Sequence, residues 1–207
     1  MLAELDAQVG ALIDCLKETH SYTDTLFVFT SDNGPWLQYR ALGGSTGPFR
    51  GGKSTAWEGG FRVPAIFWGP GQVSPGTVEE MGSTLDFMRT FASMTDSNLP
   101  EVALDSFDLS PALSRHAASG RDKMFFYLGN QLAAVRSGVF KAHYLVPATN
   151  SRTPISLERP LLYNLVEDPS EQFDLARSKP EVLAALARVR DEHLASIRPV
   201  EDQLIRR

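Results

Sequence analysis

Four consecutive apolar residues, Leu26 to Phe29 in the stretch TLFVFTSDNG, constrain the fold more than any other part of the chain. A strand with water on one face alternates apolar and polar side chains. A run without alternation, ended by polar and turn-forming residues, is the pattern of a strand covered on both faces, as in a parallel sheet between helices. RVPAIFWGPG repeats the pattern and predicts a second buried strand over about 62–68, stopped by Gly69-Pro70-Gly71. Leu2, Leu5, Val9, Leu12, Ile13 and Leu16 recur at three- and four-residue steps, which predicts an amphipathic helix over about 2–19. Leu85, Met88, Phe91 and Ala92 mark another over about 82–94.

From about residue 120 the texture changes. MFFYLG, QLAAVRSGVFKAHYLV and PLLYNLV read as short strands of an antiparallel sheet, with Ser137-Gly138 as a tight turn. Asp168-Pro169-Ser170-Glu171 has the order of a helix start, with Asp as N-cap, Pro at the first position and Glu at the third. Pro180 opens a last helix with Val182, Leu183, Leu186, Val189 and Ile197 facing inward. The expected fold is therefore α/β. Residues 1–120 form part of an α/β domain, and 121–207 form an antiparallel subdomain with a packed helix. Two parallel candidates make a poor sheet by themselves, so the first part is expected to be the rear of a larger α/β domain.

Composition narrows the function. Of 207 residues 43% are apolar and 22% charged, which is the profile of a globular domain. The net charge of -5 argues against a nucleic-acid partner, because phosphate binding requires a concentrated basic face. The tight basic pair Arg206-Arg207 reads as a solvated tail. No apolar run reaches the length of a membrane span, and MLAELDAQVG lacks the basic and apolar regions of a signal peptide. Cys15 is the single cysteine, in helical context, and reads as a small buried residue. Asparagines lack the glycosylation context; Asn150, for example, is followed by Ser-Arg.

Two local patterns carry chemistry. GPFRGGKS, Gly47 to Ser54, fits the phosphate-cradling pattern G-x-x-x-x-G-K-[ST]. That loop works only between a strand and a helix that starts at its Lys-Ser. Here ALGGST precedes it and TAWEGGF follows, with Gly59-Gly60 stopping any helix after one turn. The nucleotide reading is rejected, which leaves a glycine-rich, anion-tolerant loop carrying Lys53. The second pattern is Asp32-Asn33, just beyond the first buried strand, where α/β sheets place ligands. A carboxylate beside an amide carbonyl suits a hard cation, and Asp-Asn-Gly-Pro equally suits a turn.

TLFVFTSDNGP, then GGK, then WEGGFRVPAIFWGPG, with LDSFDLSPAL and PLLYNLVEDPSEQFDL behind them, resembles the second half of a sulfatase of the arylsulfatase type. The resemblance covers essentially the whole chain. It implies an alkaline-phosphatase-like α/β domain followed by a smaller antiparallel sheet. It also implies that Asp32 and Asn33 are ligands of a divalent metal, Ca2+ or else Mg2+, and that Lys53 contacts the sulfate ester of the substrate as a catalytic and substrate-binding residue. Glu58 and Arg62 are expected to pair or to brace the loop. Trp36 and Trp57 flank this region, either as the lining of a sugar or aryl pocket or as packing residues. His20, His116, His143 and His193 are read as structural or surface residues.

The chain departs from the family in one respect that decides its chemistry. The nucleophile of sulfatases is a formylglycine made within a C/S-x-P-S-R motif, and no such motif exists here. The expectation is a C-terminal part of a sulfatase whose partner is the missing N-terminal half, inactive alone, from a parent that is periplasmic, secreted or lysosomal. Two alternatives stay open: a non-catalytic remnant used as a binding or complementing module, and a related phosphatase or phosphonate monoester hydrolase.

Overall fold

A computed structural model of the chain describes residues 2–115, 117–148 and 154–198. His116, Asn150 and the Arg206-Arg207 pair lie outside the described residues. The first elements are helix α1 (Leu2–Glu18), strand β1 (Phe27–Thr30), helix α2 (Glu58–Phe61), strand β2 (Ala65–Trp68), and helices α3 (Phe87–Met94) and α4 (Ser110–Leu113). Strands β3 (Lys123–Leu128), β4 (Gln131–Ser137), β5 (Phe140–Val146) and β6 (Ile155–Asn164) follow, and α5 (Pro180–Ser196) is the last helix. The chain divides into two compact units, one of Met1–Asp32 with Val63–Arg121, the other of Asn33–Arg62 with Asp122–Arg207.

In the first unit β1 and β2 pair antiparallel, with Phe27 opposite Trp68 and Thr30 opposite Ala65. This corrects the parallel arrangement expected from the sequence. Parallel neighbours need a crossover that returns the chain to the opposite end of the sheet. Residues 33–62 instead leave β1 at Thr30 and rejoin at Ala65, directly across from it, so β2 runs back. A continuous apolar run specifies burial and carries no direction, so the sequence pattern was blind to this.

Burial also differs from expectation. Phe29 is 44% and Ile66 58% exposed, and α1 buries no residue at all, with Leu2, Leu5 and Leu12 exposed. Cys15, expected to be buried, is exposed. Leu85, Met88 and Phe91 are exposed as well, and the helix expected over 82–94 is a 3-10 turn at Thr84–Asp86 running into α3. What holds this unit is aromatic and polar. Tyr22 meets Trp68 edge-on at 5.1 Å, and Phe67 meets Phe87 at 5.8 Å. The fully buried Asp86 caps its own turn from Ser83, accepts the Phe107 amide at 2.8 Å, and takes Arg121 Nε at 2.8 Å.

The second unit holds a meander, β3-β4-β5-β6, antiparallel throughout. The Ser137-Gly138 turn between β4 and β5 forms as expected, with Ser137 opposite Phe140. Helix α5 starts at Pro180, whose missing N–H costs nothing at a first-turn position. It lays Val182, Leu183, Leu186 and Val189 onto Leu132, Val135, Ala142, Tyr144 and Leu162 of the sheet. Ile197 ends the helix and is exposed rather than inward.

No helix begins at Asp168. Glu171 takes φ 53, a left-handed conformation that a helix cannot contain. Asp168 Oδ2 still accepts two amides, from Gln172 and Phe173 at 2.8 Å each, so the residue read as an N-cap caps a turn.

Candidate functional site

Residues 33–62 fold as two glycine-rich loops closed on each other. The Gly34 amide donates to Gly60 O at 2.9 Å, and the Lys53 amide to Pro35 O at 2.9 Å. A Cβ added at Gly34 would lie 1.8 Å from Gly59 O, so only glycine permits this approach. The stretch holding Asn33 and the stretch holding Lys53 are thereby joined backbone to backbone. No helix starts at Lys53-Ser54: Ser54 sits at φ 69 in a turn, so the loop lacks the helix N-terminus on which a phosphate-cradling loop depends. Lys53 itself is exposed, its Nζ 5.7 Å from the centre of the Trp36 ring.

The lower end of this double loop is anchored by buried charge. Gly59-Gly60 limits α2 to a single turn, as the sequence predicts, and its first residue Glu58 is 2% exposed. Glu58 Oε1 accepts from Lys141 Nζ at 2.8 Å, while Arg62 and Arg136 approach Oε2 at 3.8 and 3.9 Å. Arg62 pairs with Glu58 as expected, yet the closest partner is Lys141, supplied by β5. Lys141 also reaches Glu171 Oε1 at 3.2 Å and lies 4.2 Å over the Phe126 ring. Glu171 Oε2 in turn accepts the Glu58 amide at 2.6 Å, and Oε1 accepts from His143 Nε2 at 2.6 Å.

Lys141, His143 and Glu171 are thus fully buried and mutually satisfied, which is the condition under which buried charge is tolerated. Burial pushes the His143 pKa down to about 4 against the raising effect of Glu171, so its imidazole is neutral and acts as a donor. Burial, the largest influence on Glu171, pushes its pKa up. The His143 hydrogen bond and the Lys141 charge outweigh it and leave the carboxyl below its ordinary value.

Trp57 seals the anchor. Its ring is 4.1 Å from His143 and 6.0 Å from Tyr163, with the Arg50 guanidinium 3.8 Å over it. Arg50 Nη1 donates to Glu171 O at 2.9 Å, tying the glycine loop to the turn after β6.

Of the site residues expected from the sequence, Asn33 and Lys53 fall in the same unit, and Asp32 ends the first unit at the exit of β1. Asp32 is exposed, with Ser31 Oγ 3.5 Å from its Oδ1, and Asn33 is half-buried and donates from Nδ2 to Gly34 O at 3.0 Å. Both carry oxygen donors of the kind that hard cations take, and two such donors are fewer than the six to eight that calcium needs. Among the described residues no group of three or more His, Cys, Asp or Glu converges to hold a metal. Cys15 lies in α1 in the context DCLKET and does not fit a formylglycine precursor.

Sequence reasoning missed Lys141 and Glu171, whose partners lie 83 and 113 residues away along the chain. The one signal available was a lysine placed within the apolar β5 strand.

Lys53 is thus presented on a locked glycine loop, and the acid–amide pair Asp32-Asn33 follows the exit of β1. Similarity to known proteins gives the chain its family. The sulfatase family model matches residues 1–97, and that of the C-terminal region of aryl-sulfatase matches 119–207. Human arylsulfatase A is 39% identical over 206 residues, covering 89% of this chain and 41% of its own length. The N-acetylgalactosamine-6-sulfatase of Sus scrofa is 35% identical, covering 97% of this chain and 44% of its own. Among solved structures, the PsFucS1 sulfatase from Pseudoalteromonas sp. superposes with a TM-score of 0.82 at 28% identity, over 93% of this chain and 41% of that one. The chain belongs to the sulfatase family, shares the alkaline-phosphatase-like fold of its structural neighbours, and spans about two-fifths of the length of the relatives it matches.

Proposed function

We propose that this chain is the C-terminal part of a sulfatase of the arylsulfatase type, which hydrolyses a sulfate ester. In this reading Lys53 contacts the sulfate, and Asp32 and Asn33 give two oxygen ligands to a divalent cation, Ca2+ or Mg2+. The observation that carries the reading is the presentation of Lys53: an exposed head on a backbone pinned to Pro35 O, in a loop braced by buried charge. A cation bound at Asp32 and Asn33 would supply positive charge to the sulfate oxygens.

The residues of this chain do the rest. The Lys53 ammonium donates to a sulfate oxygen and offsets the charge that builds there as the ester bond breaks. The pinned backbone keeps that ammonium aimed before substrate arrives, so little ordering remains to be done on binding. The sequence contains no formylglycine motif, so the chain by itself is expected to release no product from an aryl sulfate above a Lys53→Ala control. Inorganic sulfate titrated into the labelled chain tests the contact directly. Amide resonances of 51–55 should shift, and Lys53→Ala should abolish the shift; an unchanged response in the variant would remove Lys53 from the site.

A second reading, a non-catalytic complementing module, is favoured by one observation: α1 buries no residue and leaves Leu2, Leu5 and Leu12 exposed. Concentration-dependent association in sedimentation, together with indifference to sulfate, would select it.

A further inference from the structure

Three hydrogen bonds join the segment after β6 to the glycine loop, and they fall on both sides of Lys53. Ser170 Oγ donates to Pro48 O at 2.6 Å, and Arg50 Nη1 donates to Glu171 O at 2.9 Å. Beyond the lysine, the Glu58 amide donates to Glu171 Oε2 at 2.6 Å. One short segment therefore grips the arm of the loop that leads into Lys53 and the arm that leads away from it. The two arms also meet each other, since the Gly59 amide donates to Arg50 O at 2.8 Å.

The gripping segment has a shape of its own. Asp168 Oδ2 accepts the Gln172 and Phe173 amides, and the Asp168 amide donates to Asn164 O at 2.7 Å. Inside that frame Glu171 stands at φ 53, which costs a residue with a Cβ some strain and persists only where the surroundings fix it. The surroundings do so at both ends of the residue. Its carbonyl is held by Arg50, and its carboxylate by the Glu58 amide, His143 and Lys141.

Stability alone does not require such a device, because a buried ion pair is often no better than apolar side chains of the same volume. Directed hydrogen bonds add something that apolar packing lacks: they fix individual backbone atoms of the loop in place.

We propose that Glu171 is a positioning residue for anion binding, and that segment 168–173 is a clamp that sets the backbone from which the Lys53 ammonium is presented. The inference rests on the reading of Lys53 as the sulfate contact, and adds to it a dependence on a residue far along the chain. Without the clamp the loop keeps its internal contacts, such as the Lys53 amide on Pro35 O, but loses its outside support. The ordering of the lysine is then left to the moment of binding, and affinity falls.

The test is the affinity of the full chain for inorganic sulfate, followed by NMR through the amides of 51–55. Glu171→Ala should weaken sulfate roughly three- to tenfold, the scale of ordering one side chain on binding. Glu171→Gln keeps an oxygen for the Glu58 amide and should recover most of the loss. The Glu58 amide signal reports the grip itself: at low field in the unaltered chain, and upfield in Glu171→Ala. Ser170→Ala is the milder change, removing one hydrogen bond, and should weaken sulfate about twofold. Leu186→Ala disturbs the opposite face of the sheet, so it should lower stability and leave the affinity unchanged.

Unchanged affinity in both Glu171→Ala and Ser170→Ala, or an equal loss in Leu186→Ala, overturns the clamp while leaving Lys53 in place. Should Glu171→Ala fail to fold, Ser170→Ala decides alone. If instead Lys53→Ala fails to weaken inorganic sulfate, the sulfate reading fails and the clamp's role falls with it.

Discussion

Helices α1 and α5 are both 17 residues long and both read as amphipathic in the sequence, yet they end in opposite circumstances. Helix α5 sets four apolar side chains onto the sheet and buries Leu186 to 2%. Helix α1 buries nothing. The same contrast holds between strands: β4 and β5 are buried over most of their length, whereas β1 and β2 leave Phe29 and Ile66 in water. Apolar periodicity records which face of an element is made for contact. It does not record whether the contacting surface lies within the same chain.

Changes to the buried charge of the second unit should separate the two regions most sharply. Glu171→Ala would leave His143 and the Glu58 amide without their acceptor and Lys141 with Glu58 alone, at a cost of about 3–5 kcal/mol. Denaturant unfolding followed through the buried Trp57 should show it; a loss under about 1 kcal/mol would mean that water takes over the role of the carboxylate.

Leu186→Ala comes next. Truncating a leucine at the helix–sheet contact should cost about 2–5 kcal/mol by the same measurement. A small effect would show that α5 is as loosely held as α1.

Acid should act on the second unit as well. The folded His143 pKa of about 4 lies below its ordinary 6.5, so the unfolded chain binds a proton first as pH falls. Stability is full above pH 6.5, declines as pH drops towards 4, and loses on the order of 3 kcal/mol in all. Glu171, whose pKa is lowered, adds to the loss as pH falls below its ordinary 4.5. His143→Phe should flatten the upper part of that decline, provided that it folds; an unchanged pH profile in the variant would move the effect elsewhere.

The smallest effect is expected at α1, where Leu5→Ala should change the stability of the isolated chain by no more than about 0.5 kcal/mol. A larger change would mean that α1 is covered in solution and would erase the comparison.

Much of this was legible in advance for physical reasons that are local. Pro180 at a helix start, Ser137-Gly138 between two strands, and Gly59-Gly60 ending α2 after one turn all act through their immediate neighbours. The placing of Lys53 on a tight glycine loop outside any helix was legible for the same reason. The direction of β2 was not, because apolar runs read alike in both directions. Nor was the role of Glu171, where the order Asp-Pro-Ser-Glu looks helical until a left-handed φ turns the glutamate inward to partners far along the chain. Trp36 and Trp57 were indistinguishable as letters; only the stacking of Arg50 and His143 on the second separates them.

The double glycine loop and its anchor also differ in when they can exist. Closing Gly34 onto Gly60 needs only chain that has already left the ribosome by residue 60, whereas Glu58 meets Glu171 across 113 residues. At about 5–20 residues per second, synthesis separates the two events by roughly 6 to 23 s. For that interval the loop is held by contacts among its own residues, such as the glycine hydrogen bonds and Arg50 on Trp57, and the Glu58 amide lacks the Glu171 carboxylate. A substitution such as Gly34→Ala would therefore act on the nascent chain, before the buried ion pairs that brace the loop have formed.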